Sequence, residues 1–281
     1  MTFINRIGAS LVAVSLLFAA GSAFAQHDEH EHEHEHVDVL LYSDGSGNLG
    51  AGSVDVDELE AEFDHVVFEV EAHGDVLSAG NSSFQSAAPG FYSMSDANVG
   101  NLNGNDNLPG NAAITIDFLV EPTLNISLAY WDESLEQFSA PTGSAALTVT
   151  SGASLFGSLA GTNEVLGAAI GTTSGTGAHD EHFDFDLSVD NDGVYLAYAQ
   201  ANVAGLNGPS NPFWLLFATI DECEETDSCS TPAGYFNGEY EHQMEEAVAY
   251  VESTLVPEPG TGMLFGLGLM GLARGSRRPP F

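Results

Sequence analysis

Lysine is absent from this 281-residue chain, and its only arginines stand near the two ends: Arg6, then Arg274, Arg277 and Arg278. Nothing between Arg6 and Arg274 carries a permanent positive charge. That absence excludes whole classes of function. Nucleic-acid binding needs Lys or Arg against phosphates. Phosphoryl transfer usually relies on Lys or Arg clamps, and docking on anionic lipid needs a polybasic segment. Salt bridges to Lys or Arg are excluded within the body as well. The 41 Asp and Glu residues must therefore face water, accept neutral hydrogen bonds, or meet a cation from outside. A body this acidic repels itself and stays soluble, and divalent cations that bind only its folded form should stabilise it. Adaptation to saline surroundings would produce the same acidity.

Cysteine is nearly absent too. Cys223 and Cys229 flank a five-residue acidic stretch, residues 224–228, and no CxxC pair exists. This spacing makes a poor structural zinc site. In an oxidising compartment a disulfide closing the short loop is expected. HExxH spacing occurs only within the repetitive His/Glu tract, at residues 30–34 and 32–36, and there is no nucleophile motif. A metal-dependent hydrolase, which needs about three fixed ligands and an open water position, is therefore disfavoured, and the chain reads as a non-enzyme. Long apolar runs are missing as well. The longest, residues 260–273, would span only about 21 Å as a helix, short for a permanent membrane anchor.

What is present is histidine packed among carboxylates. Residues 26–36 read Gln-His-Asp-Glu-His-Glu-His-Glu-His-Glu-His, with imidazoles at His27, His30, His32, His34 and His36. Neutral imidazole suits zinc, copper and nickel, and carboxylate fills remaining positions. His-rich tracts of this kind are a metal-binding composition. The alternative is a solvated acidic tail. The tract directly follows a charged n-region at Arg6, an apolar h-region at residues 11–20 and an Ala23-Phe24-Ala25 cleavage site. Residues 1–25 thus read as a signal peptide, and residues 26–36 as a disordered, metal-binding tail at the start of the mature chain.

The C-terminal segment, residues 256–281, is ordered in three parts: Pro257-Glu258-Pro259, the Gly/Leu-rich apolar run, and the three arginines. It resembles the PEP-CTERM sorting signal of exported bacterial proteins. The resemblance implies that exosortase machinery recognises Pro257, Glu258 and Pro259 as a processing motif. The arginines would stay on the cytoplasmic side. The expected location is the cell envelope or surface, with transient membrane anchoring.

Between the two ends, short alternating apolar stretches separated by Gly, Asn, Asp and Ser point to a mainly β body over residues 37–238. The expected architecture is an antiparallel, Ig-like β-sandwich. Strands are expected at 37–43, 65–72, 113–120, 124–131, 145–150, 183–189, 194–200 and 212–220. Residues 45–52 and 98–111 read as loops. Asn191-Asp192-Gly193 reads as a hairpin turn between the strands on either side. It also superficially resembles part of a calcium loop, but lacks the full pattern. A single amphipathic helix is expected over 239–255, its stripe formed by Tyr240, Met244, Ala247, Val248, Val251 and Leu255. His242 and Glu246 lie one turn apart on another side and read as solvated.

The tetrapeptide His-Asp-Glu-His occurs twice, at 27–30 and again at 179–182. The second copy runs into Phe183-Asp184-Phe185-Asp186-Leu187. Strand alternation sends Phe183, Phe185 and Leu187 to the core and leaves His182, Asp184 and Asp186 on the other face, about 7 Å apart. His182 and Asp184 could share one ion, with His179 folding back from just before the strand. His36 and Asp38, on one face of the first strand, could add a third or fourth ligand if that strand lies nearby. Carboxylates close to these imidazoles should raise their pKa values. His65 and His73, about 27 Å apart on an extended strand, cannot share an ion.

These body motifs, with Gly193-Val194-Tyr195 and Pro212-Phe213-Trp214, resemble surface-anchored domains associated with metal-uptake transporters. They are also similar to His-rich, zinc-responsive PEP-CTERM proteins. That resemblance implies zinc handling, with a metal-uptake system as a partner. The sequence as a whole therefore reads as an exported divalent-metal binder, with zinc favoured and calcium as the other candidate ion. It would capture, buffer or present metal at the envelope. The competing reading is an acidic structural or matrix protein bridged by calcium.

Overall fold

The computed structural model describes residues 37–75, 82–221 and 239–256. Sixteen strands are formed among them: β1 Val37–Ser43, β2 Leu49–Asp55, β3 Glu60–Glu62, β4 Val67–Asp75, β5 Ser82–Ser86, β6 Gly90–Ser93, β7 Ala113–Leu119, β8 Leu128–Asp132, β9 Gln137–Ser139, β10 Ala145–Ser151, β11 Ser154–Leu159, β12 Val165–Thr172, β13 His179–His182, β14 Asp184–Val189, β15 Val194–Val203 and β16 Phe213–Asp221. The helix α1 covers Glu239–Tyr250 and runs on into a π-helical turn at Val251–Leu255.

The strands form two sheets. The smaller has the order β13-β6-β1-β2-β3, and the larger runs β11-β10-β14-β5-β4-β16-β15-β7-β12, with the β8–β9 hairpin attached to β15. The larger sheet curls until its edge strands β11 and β12 come together. Most pairings are antiparallel, but β1–β6 and β4–β16 are parallel. The chain is mainly β with a C-terminal helix, as its alternation predicts. The Ig-like detail does not extend to it: sixteen described strands and two parallel pairings exceed a seven- to nine-stranded antiparallel sandwich.

Alternation decides which side chains enter the core. In β14 and just before it, Phe183, Phe185, Leu187 and Val189 are all buried. Phe183 joins the layers: its ring meets Phe91 of the smaller sheet at 5.5 Å, and Phe118 and Phe156 of the larger at 5.9 Å each. Edge-to-face aromatic pairs add about 0.5–1.5 kcal/mol each beyond the area they bury. A second, smaller cluster of Leu40, Val54, Met94 and Leu102 lies apart from this core, with Tyr42, Phe63 and Tyr92 packed against it. The helix packs on β16, β15, β4 and β9. Its Met244, Ala247, Val251 and Leu255 are buried, in line with the expected apolar stripe; the side chain of Tyr240 lies outside the described residues.

Two expectations are corrected. β2 occupies much of the stretch read as a loop at 45–52. The turn is only five residues long and is closed by Asp44, whose Oδ1 accepts hydrogen bonds from the Ser46 and Asn48 amides at 2.8 Å each. Glycine continues into the strand for a packing reason: a Cβ at Gly50 would meet the Tyr42 ring at 2.3 Å. The second correction concerns residues 191–193, which do not form a hairpin. β5, β4 and β16 lie between β14 and β15 in the sheet, so the segment is a crossing connection. Side chains from elsewhere hold it: Asn191 donates to the Thr142 carbonyl, Tyr130 to the Asp192 carbonyl, and the Gly193 amide donates to Thr219 Oγ1. A turn signal bends the chain but carries no information about which strand will be its neighbour. Among the described residues no helix is long and apolar enough to cross a membrane.

Candidate metal centre

Three adjacent strands, β1, β6 and β13, bring Asp38, Asp180 and His182 together. The parallel register of β1 on β6 pairs Val39 with Phe91, which sets Asp38 beside Gly90. The antiparallel register of β13 on β6 pairs His182 with the same Gly90 from the other side. Strands lie about 4.8 Å apart, so Asp38 and His182 are two strand spacings from each other. They can converge only if nothing stands between them. Gly90 provides the gap: a Cβ there would lie 2.5 Å from His182 Cε1, 2.7 Å from Asp38 Oδ2 and 2.8 Å from His182 Nε2. Asp180, two residues before His182, shares its face by alternation. Ligand atoms of the three side chains all lie within 4.8 Å of one another.

Two hydrogen bonds orient these groups. Asp38 is buried, and its Oδ1 accepts from the Gly90 amide at 2.6 Å. His182 Nδ1 lies 2.8 Å from the Ala87 carbonyl. A carbonyl only accepts, so Nδ1 carries the hydrogen and the neutral ring keeps its lone pair on Nε2. That nitrogen lies 3.9 Å from Asp180 Oδ1. Fixing the far ring nitrogen on a backbone carbonyl is how metal-binding imidazoles are commonly held. Zinc bonds of about 2.1 Å in a tetrahedron set ligand atoms about 3.4 Å apart. Asp180 and His182 are exposed at the sheet edge, and small side-chain rotations would close the remaining distance. The donor set of two carboxylates and one imidazole fits zinc and neighbouring transition ions better than calcium, which takes six to eight oxygens. Beside the cluster, burial and then the Asp180 charge push the Tyr92 hydroxyl pKa up.

Of the residues the sequence singles out in the body, Asp38 and His182 meet here. His179 faces the opposite side of β13 and is buried. Its Nε2 has no hydrogen-bond partner. Burial holds its pKa below the ordinary histidine value, outweighing Glu181, the Thr172 backbone and Asp180, which pull the other way. For this residue the shift is opposite to the one expected from neighbouring carboxylates, because desolvation disfavours the imidazolium. Asp184 does not join the cluster. β13 belongs to the smaller sheet and β14 to the larger, and the chain passes between them at buried Phe183. Asp184 pairs instead with Thr150 of β10. The sequence reading missed Asp180. The signal was its two-residue spacing from His182, visible only once β13 is known to begin before Phe183. Three other histidines sit on exposed carboxylate pairs: His65 with Glu62 at 3.8 Å, His73 with Glu71 at 3.3 Å and His242 with Glu246 at 3.3 Å. His27, His30, His32, His34 and His36, Cys223 and Cys229, and Pro257, Glu258 and Pro259 lie outside the described residues.

Comparison with known proteins separates the C-terminal segment from the body. Residues 255–278 match the family model of the PEP-CTERM protein-sorting motif. No curated protein matches the chain. Among solved structures, the N-terminal domain of PorA is similar at 7 % identity and a TM-score of 0.31, covering 57 % of this chain and 90 % of that one. A family 123 glycoside hydrolase from Clostridium perfringens is similar at 11 % identity and a TM-score of 0.19, covering 66 % of this chain and 27 % of the hydrolase. Likeness this distant carries no functional argument. The sorting motif does: residues 255–278 carry a PEP-CTERM protein-sorting motif, which supports export, sorting to the surface and processing by exosortase.

Proposed function

We propose that this PEP-CTERM protein binds a divalent transition metal, zinc foremost, at the cell surface, and that it captures, buffers or presents the ion rather than transforming a substrate. The observation that carries the reading is the convergence of Asp38, Asp180 and His182 over Gly90, with the His182 ring held by the Ala87 carbonyl. In a body without Lys or Arg, no side-chain cation of permanent charge competes for these carboxylates. The His-rich tract enters the chain two residues before Asp38 and would serve as a collector of many weak, equivalent registers. Delivery to a metal-uptake system is part of the same proposal.

Zinc titration calorimetry on three forms of the exported body tests it: the unchanged chain, one with His27, His30, His32, His34 and His36 replaced by Ser, and that form with His182→Ala added. The tail-replaced form should keep one zinc equivalent, and His182→Ala should remove it. Equal heats from the last two forms would reject the body site. Calcium heats that exceed those of zinc in the tail-replaced form would favour the matrix-protein reading.

A further inference from the structure

A second site lies far from the metal ligands in the fold, at the seam between the C-terminal helix and the β8–β9 hairpin. A cavity of about 310 Å³ opens there, lined by Trp131, Glu136, Glu246, Ala249, Tyr250 and Ser253. Its floor is aromatic. Trp131 packs on Phe138 at 5.2 Å and on Tyr250 at 5.7 Å, and Phe138 meets Tyr250 at 5.8 Å. Its rim carries two carboxylates, Glu136 from the hairpin and Glu246 from the helix. Gln243 donates to Glu133 at 3.4 Å, an exposed contact between the same two elements.

The chemistry of the walls narrows the occupant. Two carboxylates repel anions, and no Lys or Arg in the body neutralises either; Glu246 has the His242 imidazole beside it, at 3.3 Å. A bare metal ion is a poor fit: among the described residues the one group of three ligands close enough to share an ion is Asp38, Asp180 and His182. The volume is at the lower end of that found for small organic ligands, about 300–1,000 Å³. A cation with an apolar stem satisfies both surfaces, its stem against the rings and its charge between the carboxylates, with a cation–π contribution from the half-buried Tyr250 ring.

We propose that this cavity binds an alkylammonium group. The stem lies along Tyr250 and Ala249 over Trp131, and the ammonium is shared by Glu136 and Glu246. The site is independent of the zinc reading, since none of its residues belongs to the metal cluster.

Calorimetry on the whole exported body tests it directly, with n-butylammonium chloride as the probe and sodium chloride at matched ionic strength as the control. A lysine-containing tripeptide forms a second arm. Saturable heat from either ammonium probe, absent with sodium chloride, is expected; the tighter of the two distinguishes a free amine from a partner's lysine side chain. The double variant Glu136→Gln/Glu246→Gln should weaken binding about tenfold or more. Both positions are at the surface, and an unchanged melting temperature would verify that the variant is folded. Tryptophan fluorescence gives a second readout, because Trp131 is one of only two tryptophans. Three outcomes would overturn the assignment: no saturable signal, an equal signal with sodium chloride, or unchanged affinity in the double variant.

Discussion

A methyl group at position 90 would sit 2.5 Å from the His182 ring and 2.7 Å from the Asp38 carboxylate, well inside van der Waals contact. Gly90→Ala should therefore push the two ligands apart and weaken zinc binding in the tail-replaced protein about tenfold or more, a cost near 1.4 kcal/mol. Calorimetry would measure it, and an unchanged near-ultraviolet circular dichroism spectrum would separate a ligand effect from misfolding. His179 makes a different prediction. The unfolded chain takes up a proton on this residue near the ordinary value of 6.5, whereas burial makes the folded protein resist until lower pH. Between those two values the unfolded state binds more protons, so stability falls as pH drops below about 6.5 and levels off beneath the folded pKa. Urea midpoints measured from pH 7.5 to 5 should show that fall, and His179→Gln should lose part of it. A steeper fall in the variant would show that His179 is not its source. Asp38 and His182 were legible as candidate ligands because a histidine or aspartate amid carboxylates announces itself. Asp180 was not, because its role depends on where a four-residue strand begins.

At the scale of elements, the short strand β13 is held at its C-terminal end by Phe183, fully buried and in ring contact with Phe91, Phe118, Phe156 and Phe185. Phe183→Ala should cost about 3–5 kcal/mol, as deleting a large core ring does. Because Phe183 directly follows His182, the same change should weaken zinc binding. A loss of less than 1 kcal/mol in urea unfolding would mean that the crossover is not anchored there. The long strands were readable from alternation: β1 spans Val37–Ser43 as expected, and β16 differs from its expected range by one residue at each end. β2, β6 and β13 were not, since glycine at 50 and 90 and charge at 180–182 resemble loop composition. In these strands glycine answers to neighbouring side chains, Tyr42 in one case and His182 in the other. A one-dimensional pattern does not contain those neighbours.

At the scale of the whole molecule, a formal net charge of −37 with ten histidines sets how the protein responds to ions. Sodium chloride should raise the melting temperature by screening self-repulsion, since the Debye length shrinks from about 10 Å at 0.1 M to about 3 Å at 1 M. Zinc at micromolar levels should add a further increase through mass action on the folded form. That part should vanish with a chelator or with His182→Ala, while the salt effect persists. Differential scanning calorimetry separates the two. Equal stabilisation by zinc and by magnesium at the same concentration would indicate diffuse charge neutralisation in place of a site.

The sequence by itself determined the C-terminal sorting motif, the absence of basic partners inside the body, the β character and the amphipathic helix. Each of these is written in contiguous residues or in composition. Tertiary structure alone decided that Asp38 and Asp180, 142 positions apart in the chain, meet His182 across a glycine. It also decided that Asp184, two residues from His182, does not join them. The physical reason is strand pairing: register and sheet membership are fixed by packing of buried faces across the whole body, so residues adjacent in sequence can be sent to different sheets at a single buried phenylalanine.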